Sequence, residues 1–348
     1  MSDFEFVPTQ NQVEESNIFR FMQKHGLSSL SELSKKAKDE LEWFWQEVDK
    51  DIGVVWDSPY SQILDSSNGI AHSKWFVNGK TNIYKSTVEK FIKLNPEKIA
   101  YHFVSEDGTT SKLTYQELDN KVSKLANGLK SLGVKKGDVV AIYLPMIQEA
   151  ILTILASAKI GAVQTVIFSG YSTESLHIRL QDCNAKVLFV SDGFSRKGKP
   201  ISQKDTMQKA IQDTHVEKTI VVKYKGVDKY ENSENIVYYD ELTKSQNSDF
   251  PTEIMDSEDP LFILYTSGTT GKPKGVVHVH GGFSVFAGHQ AAYLIDLQAQ
   301  DVLFWPADIG WITGLVWNVY GLLIMGASSV IYDGALDFPK SEIGRAHV

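Results

Sequence analysis

Tyr265-Thr-Ser-Gly-Thr-Thr-Gly-Lys-Pro-Lys-Gly-Val276 gathers three glycines, four Ser or Thr hydroxyls and two lysines into one turn-rich segment. The apolar run Leu261-Phe-Ile-Leu264 leads straight into it and reads as a buried strand. A loop of this make-up suits a polyphosphate. Glycines let the backbone approach phosphate oxygens, while hydroxyls and N–H groups donate hydrogen bonds. Hydrogen bonds to charged groups contribute roughly 1.5–3 kcal/mol each, so several together hold a triphosphate. The spacing is not that of a P-loop, which has four residues between its glycines and Ser or Thr after the lysine. Here only Thr269 and Thr270 separate Gly268 from Gly271, and Pro273 follows Lys272. Pro273 also prevents a helix from starting at the lysine. The spacing therefore argues against a P-loop NTPase.

Outward from the loop, alternating strand and helix patterns set the fold class. Ile99-Ala-Tyr-His-Phe-Val104 reads as a strand, with a turn at 106–109. Thr114 then caps a helix, Glu117 completes a capping box, and Gly133 stands at the far end. Residues 138–144 read as a strand, 146–160 as a helix closed by Gly161, and 162–168 as the next strand. Strand, helix, strand at this spacing is a βαβ unit and predicts a parallel sheet. The pattern continues through a helix at 172–183, a strand at 186–190, a helix at 205–213 and a strand at 218–222. Residues 223–257 are polar and read as a surface connection. Beyond the loop come a helix at 282–293, a strand at 301–304, a helix at 315–325 and a strand at 328–332. Residues 1–28 read as irregular and loosely held. Residues 29–50 carry helical periodicity, with Leu41, Phe44, Trp45 and Val48 on one face.

Composition narrows the class. The 348 residues are 42% apolar and 22% charged, the balance of a soluble globular protein, and the length favours more than one domain. A net charge of −8 gives no support to a nucleic-acid or acidic-membrane partner. The single cysteine, Cys183, excludes an intramolecular disulfide and a cysteine-rich metal site, and is expected as a buried structural thiol. The apolar stretch 313–332 is interrupted by Asn318, Ser328, Ser329 and Gly326, so a core helix followed by a strand fits better than a membrane span. Met1-Ser-Asp-Phe-Glu lacks a signal-peptide pattern, and a cytoplasmic enzyme is expected. His278 and His280, with His289 further on, have no carboxylate or cysteine at ligand spacing. No metal ligand is assigned to protein side chains. His102 and His177 are read as structural.

The loop resembles the signature loop of the adenylate-forming superfamily, which includes acyl-CoA synthetases, luciferases and peptide-synthetase adenylation domains. Glu258-Asp-Pro-Leu-Phe-Ile-Leu-Tyr-Thr-Ser-Gly268, Ala307-Asp-Ile-Gly-Trp-Ile-Thr-Gly314 and Lys74-Trp-Phe-Val-Asn-Gly-Lys80 resemble its AMP-forming acetyl-CoA synthetase branch. The resemblance runs from about residue 30 to 341. It implies an α/β fold: the large N-terminal domain of these enzymes, with layered, mostly parallel sheets flanked by helices, incomplete at the C-terminus. The implied domains are an N-terminal extension with an amphipathic helix over 1–85 and a partial adenylation domain over 86–341. The implied activity is ATP-dependent activation of a short carboxylate, acetate first, through an acyl-adenylate to acyl-CoA. Propionate, hydroxypropionate and acetoacetate are the alternative acids. A non-catalytic nucleotide-binding fragment is the alternative of another class.

The resemblance also implies site residues. Thr266, Ser267, Gly268, Thr269, Thr270, Gly271, Lys272 and Lys274 would bind ATP, with Mg²⁺ bridging the β- and γ-phosphates. Lys272 and Thr270 would stabilise phosphate charge during the reaction, and the sequence does not decide between Lys272 and Lys274. Arg196, Lys197, Gly198 and Lys199 resemble an Arg-x-Gly-Arg segment that contacts coenzyme A, although a solvated basic turn fits equally well. Lys199 keeps the charge of that last arginine and loses its two-pronged geometry. Trp311, Ile312 and Thr313 would line the acyl pocket, with Thr313 also facing coenzyme A. Alternatively Trp311 and Ile312 are core residues. Leu315 stands where a histidine is usual and Ile312 where valine is common. The downstream adenylate motif, the ribose-binding aspartate and the C-terminal lid domain with its lysine are expected beyond this chain. Glu342-Ile-Gly-Arg-Ala-His-Val348 resembles nothing in the family and is expected to be a non-native tail read from sequencing-adapter DNA. The chain alone is expected to expose sheet edges and to lack turnover.

Overall fold

A computed structural model describes residues 7–231, 233–266 and 272–338. The segment 342–348 therefore lies outside the described residues.

The larger sheet has seven strands. In spatial order they are Ile236–Tyr238, Lys218–Val222, Val187–Ser191, Val139–Tyr143, Val163–Val166, Pro260–Thr266 and Lys274–Val279. The first six run parallel and the last returns antiparallel to Pro260–Thr266. Val187–Ser191 is buried along its whole length, as expected for a parallel strand covered on both faces. Strand alternation sorts the core. Val140 and Ile142 face the larger apolar cluster with Leu118, Val122, Leu125 and Leu129. Ala141 and Tyr143 face the second cluster with Leu176, Leu180, Cys183 and Met207. Cys183 is thus a buried thiol, and burial pushes its pKa up to about 11.

The βαβ unit forms as expected, with Gln148–Lys159 crossing between Val139–Tyr143 and the parallel Val163–Val166. The helix Tyr115–Ser131 carries the predicted capping box: the Glu117 N–H donates to Thr114 Oγ1 at 3.1 Å and the Thr114 N–H to Glu117 Oε2 at 2.8 Å. Ile99–Ser105, however, does not join that sheet. It lies in a four-stranded sheet ordered Val302–Phe304, Ser328–Asp333, Ile99–Ser105, Thr110–Thr114. The turn at 106–109 folds Thr110–Thr114 back antiparallel and gives the strand a local partner.

Three further readings change. Residues 7–28 are not loosely held: Thr9 and Ser16 cap helices Gln10–Glu14 and Asn17–Lys24, and Phe21 and Met22 are buried. Asn17 fixes the second helix by donating from Nδ2 to the carbonyls of Ala292 and Leu297, both at 3.0 Å. The 29–50 helix is two, Leu30–Asp39 and Leu41–Ile52, because Glu40 leaves helical geometry at φ −124°, ψ 63°. The break lets Leu33 and Val48 enter one cluster with Phe21 and leaves Leu41 exposed. The segment 223–257 contributes the edge strand Ile236–Tyr238, the helix Tyr239–Lys244 with buried Tyr239 and Leu242, and Met255–Asp256 paired with Lys80–Thr81.

The 313–332 stretch forms core helix and strand as expected. Ile312–Gly314, a π-helical turn Leu315–Tyr320 and Gly321–Ile324 run on into the strand Ser328–Asp333. Among the described residues no helix is long and apolar enough to cross a membrane. Apolar side chains are exposed where the two sheets end: Val276 and Val277 on one, Val302 and Phe304 on the other.

Candidate active site

The strand Pro260–Thr266 delivers the glycine-rich loop to the carboxyl end of the parallel sheet, and Lys274–Val279 carries the chain away. Thr266 pairs with Lys274 and Tyr265 with Gly275, so the loop closes a hairpin. Ser267, Gly268, Thr269, Thr270 and Gly271 lie outside the described residues. Thr266 and Lys274 are exposed at the mouth, and Lys272 is exposed beside them. The stem below is fixed. Tyr265 is buried and its hydroxyl donates to Asp182 Oδ2 at 2.6 Å. At Gly275 a Cβ would stand 2.9 Å from Ile263 Cγ2 and 3.3 Å from the Tyr265 ring, so a larger residue would have to displace these side chains. Pro273 precedes a strand rather than a helix, as its backbone restrictions predict.

At the same edge, a cavity of about 170 Å³ lies among Met146, Phe168, Ser195, Arg196, Asp308 and Asp333. These residues follow or end strands of both sheets, the position where open α/β folds bind ligands. Asp308 also lines an adjoining cavity of about 190 Å³ with Trp305, Pro306 and Tyr332. Its Oδ1 accepts the Gly310 N–H at 2.7 Å. Burial, with Asp333 nearby, pushes its carboxyl up to about 6. The segment is locked from below by Asn318, whose Nδ2 donates to the carbonyls of Trp305 at 2.9 Å and Ala307 at 3.0 Å.

Arg196 lies on a tight hairpin, Phe194–Arg196 against Lys199–Ile201. Its two turn residues, Lys197 and Gly198, have φ of 51° and 72°, the left-handed pair that a two-residue hairpin demands. Lys197 pairs with Asp337 at 2.5 Å, and Lys199 is exposed. The structure brings Arg196 to the cavity but does not bring Trp311 there. Trp311 is 54% exposed, so it is not a core residue, and it lines neither of these two cavities. Ile312 packs against the main core, and Thr313 is half-buried. Asp308 and Asp333 carry no role in the sequence reading. Asp308 sits inside the quoted 307–314 stretch, and only its burial marks it out.

The histidines separate. The His278 ring stacks on Phe262 at 4.6 Å. His280 opens the helix His280–His289, and its Nδ1 accepts the Ile83 N–H at 3.3 Å. His177 Nδ1 lies 2.9 Å from the Ala210 carbonyl. Among the described residues no group of three His, Cys, Asp or Glu side chains could hold a metal ion. Burial pushes the His280 imidazole down to about 3, whereas an unfolded histidine takes a proton near pH 6.5. The unfolded chain therefore binds more protons between these values, and stability falls as the pH drops from about 6.5 towards 3. Relative to His280→Gln, the wild type is expected to lose about 1.4 kcal/mol more per pH unit across that window, read from urea unfolding in stepped buffers. Parallel pH profiles would show that His280 takes up its proton in the folded state.

The AMP-binding enzyme family matches residues 88–345, nearly three-quarters of the sequence. The chain belongs to this family. The acetyl-coenzyme A synthetase N-terminus matches residues 30–86 of the same AMP-binding chain. An acetyl-coenzyme A synthetase of Methanothrix thermoacetophila is 45% identical over 336 residues, covering 96% of this chain and 50% of its own. One from Helicobacter pylori is 40% identical over 314 residues, covering 88% and 47%. The structure of acetoacetyl-CoA synthetase from Streptomyces lividans superposes with a TM-score of 0.88 at 28% identity, covering 96% of this chain and 52% of that one. The AMP-binding chain thus spans about half the length of the curated relatives it matches.

Proposed function

We propose that this chain supplies the nucleotide-binding part of an AMP-forming acyl-coenzyme A synthetase acting on acetate in the cytoplasm. The observation that carries the reading is the Gly/Thr/Lys loop held by a rigid hairpin stem at the carboxyl end of a parallel sheet, beside the cavity of Arg196 and Asp308. The acetyl-coenzyme A synthetases it is similar to support acetate. The acetoacetyl-CoA synthetase structure supports acetoacetate as the second acid.

The chemistry needs each part. A carboxylate oxygen attacks the α-phosphorus of ATP, pyrophosphate leaves, and an acyl-adenylate forms. The thiol of coenzyme A, losing its proton, then attacks the acyl carbon and AMP departs. Charge builds on phosphate oxygens in the first step, and fixed donors stabilise it. Thr266, Ser267, Gly268, Thr269, Thr270 and Gly271 supply hydroxyls and amides in this reading, and Lys272 and Lys274 supply cationic charge. Mg²⁺ would arrive on the triphosphate and neutralise part of its charge. Arg196 and Lys199 face the phosphates of coenzyme A, with Lys197, Gly198 and Thr313 beside them. Trp311, Ile312 and Thr313 bound the acyl group. One methylene in such a pocket is worth only about 1–3 kcal/mol, so acetate and propionate differ modestly.

Calorimetric titration of the chain with ATP and Mg²⁺ tests the reading. Replacing both Lys272 and Lys274 by alanine is expected to weaken ATP at least tenfold, about 1.4 kcal/mol, with the unfolding midpoint unchanged because both side chains are exposed. Equal affinity in the double variant would sink the assignment of the loop to phosphate.

A further inference from the structure

Glu106 begins the turn between Ile99–Ser105 and Thr110–Thr114, on the four-stranded sheet. Its carboxylate reaches the tip of the basic hairpin some 90 residues away in sequence. The Lys197 N–H donates to Glu106 Oε2 at 3.0 Å, and the Gly198 N–H donates to Oε1. The Ala335 N–H adds a longer contact of 3.4 Å to Oε2. The Glu106 N–H itself donates to the Asp333 carbonyl at 2.9 Å, so the carboxylate springs from a fixed backbone.

This arrangement has a physical purpose in the turn. Lys197 is a residue with a Cβ held in left-handed geometry, at a cost of roughly 1–2 kcal/mol. Two successive N–H groups in such a turn converge on one side and form a cradle for an anion. Glu106 fills that cradle from within the protein. Gly198 has no room for more than hydrogen at its Cα without pressing on the Phe338 ring, 3.1 Å from a notional Cβ. The Lys197 ammonium is likewise occupied by Asp337. The tip of the hairpin is thus neutralised and clamped, while Arg196 stays exposed on the cavity wall and Lys199 exposed across from it.

We propose that Glu106 is a positioning residue for coenzyme binding: by clamping the Lys197 and Gly198 amides it fixes the hairpin in the conformation that aims Arg196 into the cavity beside Asp308. The division of labour follows. The backbone cradle serves an internal carboxylate, and the side chains of Arg196 and Lys199 serve the phosphates of the ligand. The inference rests on the reading of this hairpin as the coenzyme A contact.

The test titrates the 348-residue chain and three variants, Arg196→Ala, Glu106→Ala and Glu106→Gln, with coenzyme A and separately with ATP and Mg²⁺. Glu106→Ala is expected to weaken coenzyme A about tenfold, equivalent to about 1.4 kcal/mol, and to leave ATP affinity unchanged. Glu106→Gln keeps one acceptor oxygen and is expected to fall between Glu106→Ala and the wild type. Amide hydrogen exchange at Lys197 and Gly198 is expected to speed up in Glu106→Ala and not in Arg196→Ala. A Glu106→Ala variant that binds coenzyme A like the wild type, while Arg196→Ala binds weakly, overturns the role of Glu106 and leaves the hairpin reading standing. A wild-type chain that does not bind coenzyme A, or an Arg196→Ala variant with wild-type affinity, overturns the hairpin reading and this inference with it. Parallel losses of coenzyme A and ATP in Glu106→Ala would reduce Glu106 to general structural support and also overturn the proposal.

Discussion

Lys159→Met is expected to lower the unfolding free energy by about 3 kcal/mol, the lower end of the cost of breaking a buried ion pair. Lys159 ends the crossover helix Gln148–Lys159, and its side chain is only 3% exposed. Its Nζ donates to Asp119 Oδ1 at 2.7 Å and to Ser123 Oγ at 2.8 Å, and sits 4.6 Å from the centre of the Tyr84 ring. The Tyr84 hydroxyl donates to the same carboxylate oxygen at 2.7 Å, so one cluster ties together the helices Tyr115–Ser131 and Gln148–Lys159 and the chain at Tyr84. Methionine fills the space without the charge and leaves Asp119 with one donor. Asp119 retains 19% exposure, so water relieves part of the loss and the larger values in the range are not expected. Adding Asp119→Asn should recover part of the stability, because the uncompensated carboxylate is then gone. Urea unfolding of the wild type, both single variants and the double variant measures the coupling. A Lys159→Met variant within about 0.5 kcal/mol of wild type, the scatter of surface changes, would show that the pair is not a support of the fold.

The second large effect is at Gly314. A Cβ there would lie 2.2 Å from the Asp308 carbonyl oxygen, 2.7 Å from its carbon and 2.8 Å from Ile309 Cα. All three are backbone atoms, so no side chain can swing aside. Gly314→Ala is expected to cost about 3 kcal/mol, the upper part of the usual range for overpacking, and to push the 308–310 turn into the cavity it lines. The Gly310 N–H to Asp308 bond and the Asn318 clamp on Trp305 and Ala307 would be strained together. Trp305 packs edge-on to Trp317 at 4.2 Å, so the fluorescence change that disappears in a Trp305→Phe background reports the shift. Gly282→Ala is the control. It lies within the helix His280–His289, the nearest atom to its notional Cβ is at 3.6 Å, and alanine is favoured over glycine in a helix by roughly 0.5–1 kcal/mol. A Gly314→Ala variant as stable as Gly282→Ala would mean that the 308–314 segment has freedom its contacts deny.

Much of the fold is written in local chemistry. Thr114 and Glu117 start their helix through bonds that span three residues, and Gly133 and Gly161 follow helix ends at positive φ as their lack of a Cβ permits. The run 187–190 is apolar on both faces because it is covered on both, and that alone marks an interior parallel strand. The expectation of a phosphate loop rests on equally local chemistry, since glycines, hydroxyls and lysines stand at close spacing within twelve residues. The segment 311–313 was less legible: its residues were readable as a group, but whether Trp311 faces core, cavity or solvent depends on neighbours far along the chain.

What the sequence determined by itself, then, is what short-range bonds and periodicity decide: helix caps, the βαβ alternation and the strand before the glycine-rich loop. Tertiary structure decided the rest. It sent Ile99–Ser105 into a second sheet, because Ser328–Asp333 offered a parallel partner that no local pattern announces. It broke the 29–50 helix at Glu40 so that Leu33, Val48 and Phe21 could share a core. It brought Glu106 to the amides of Lys197 and Gly198, and Asp308 to the wall shared with Arg196. These are contacts between residues tens to hundreds of positions apart, and their free energy exists only once the layers have packed.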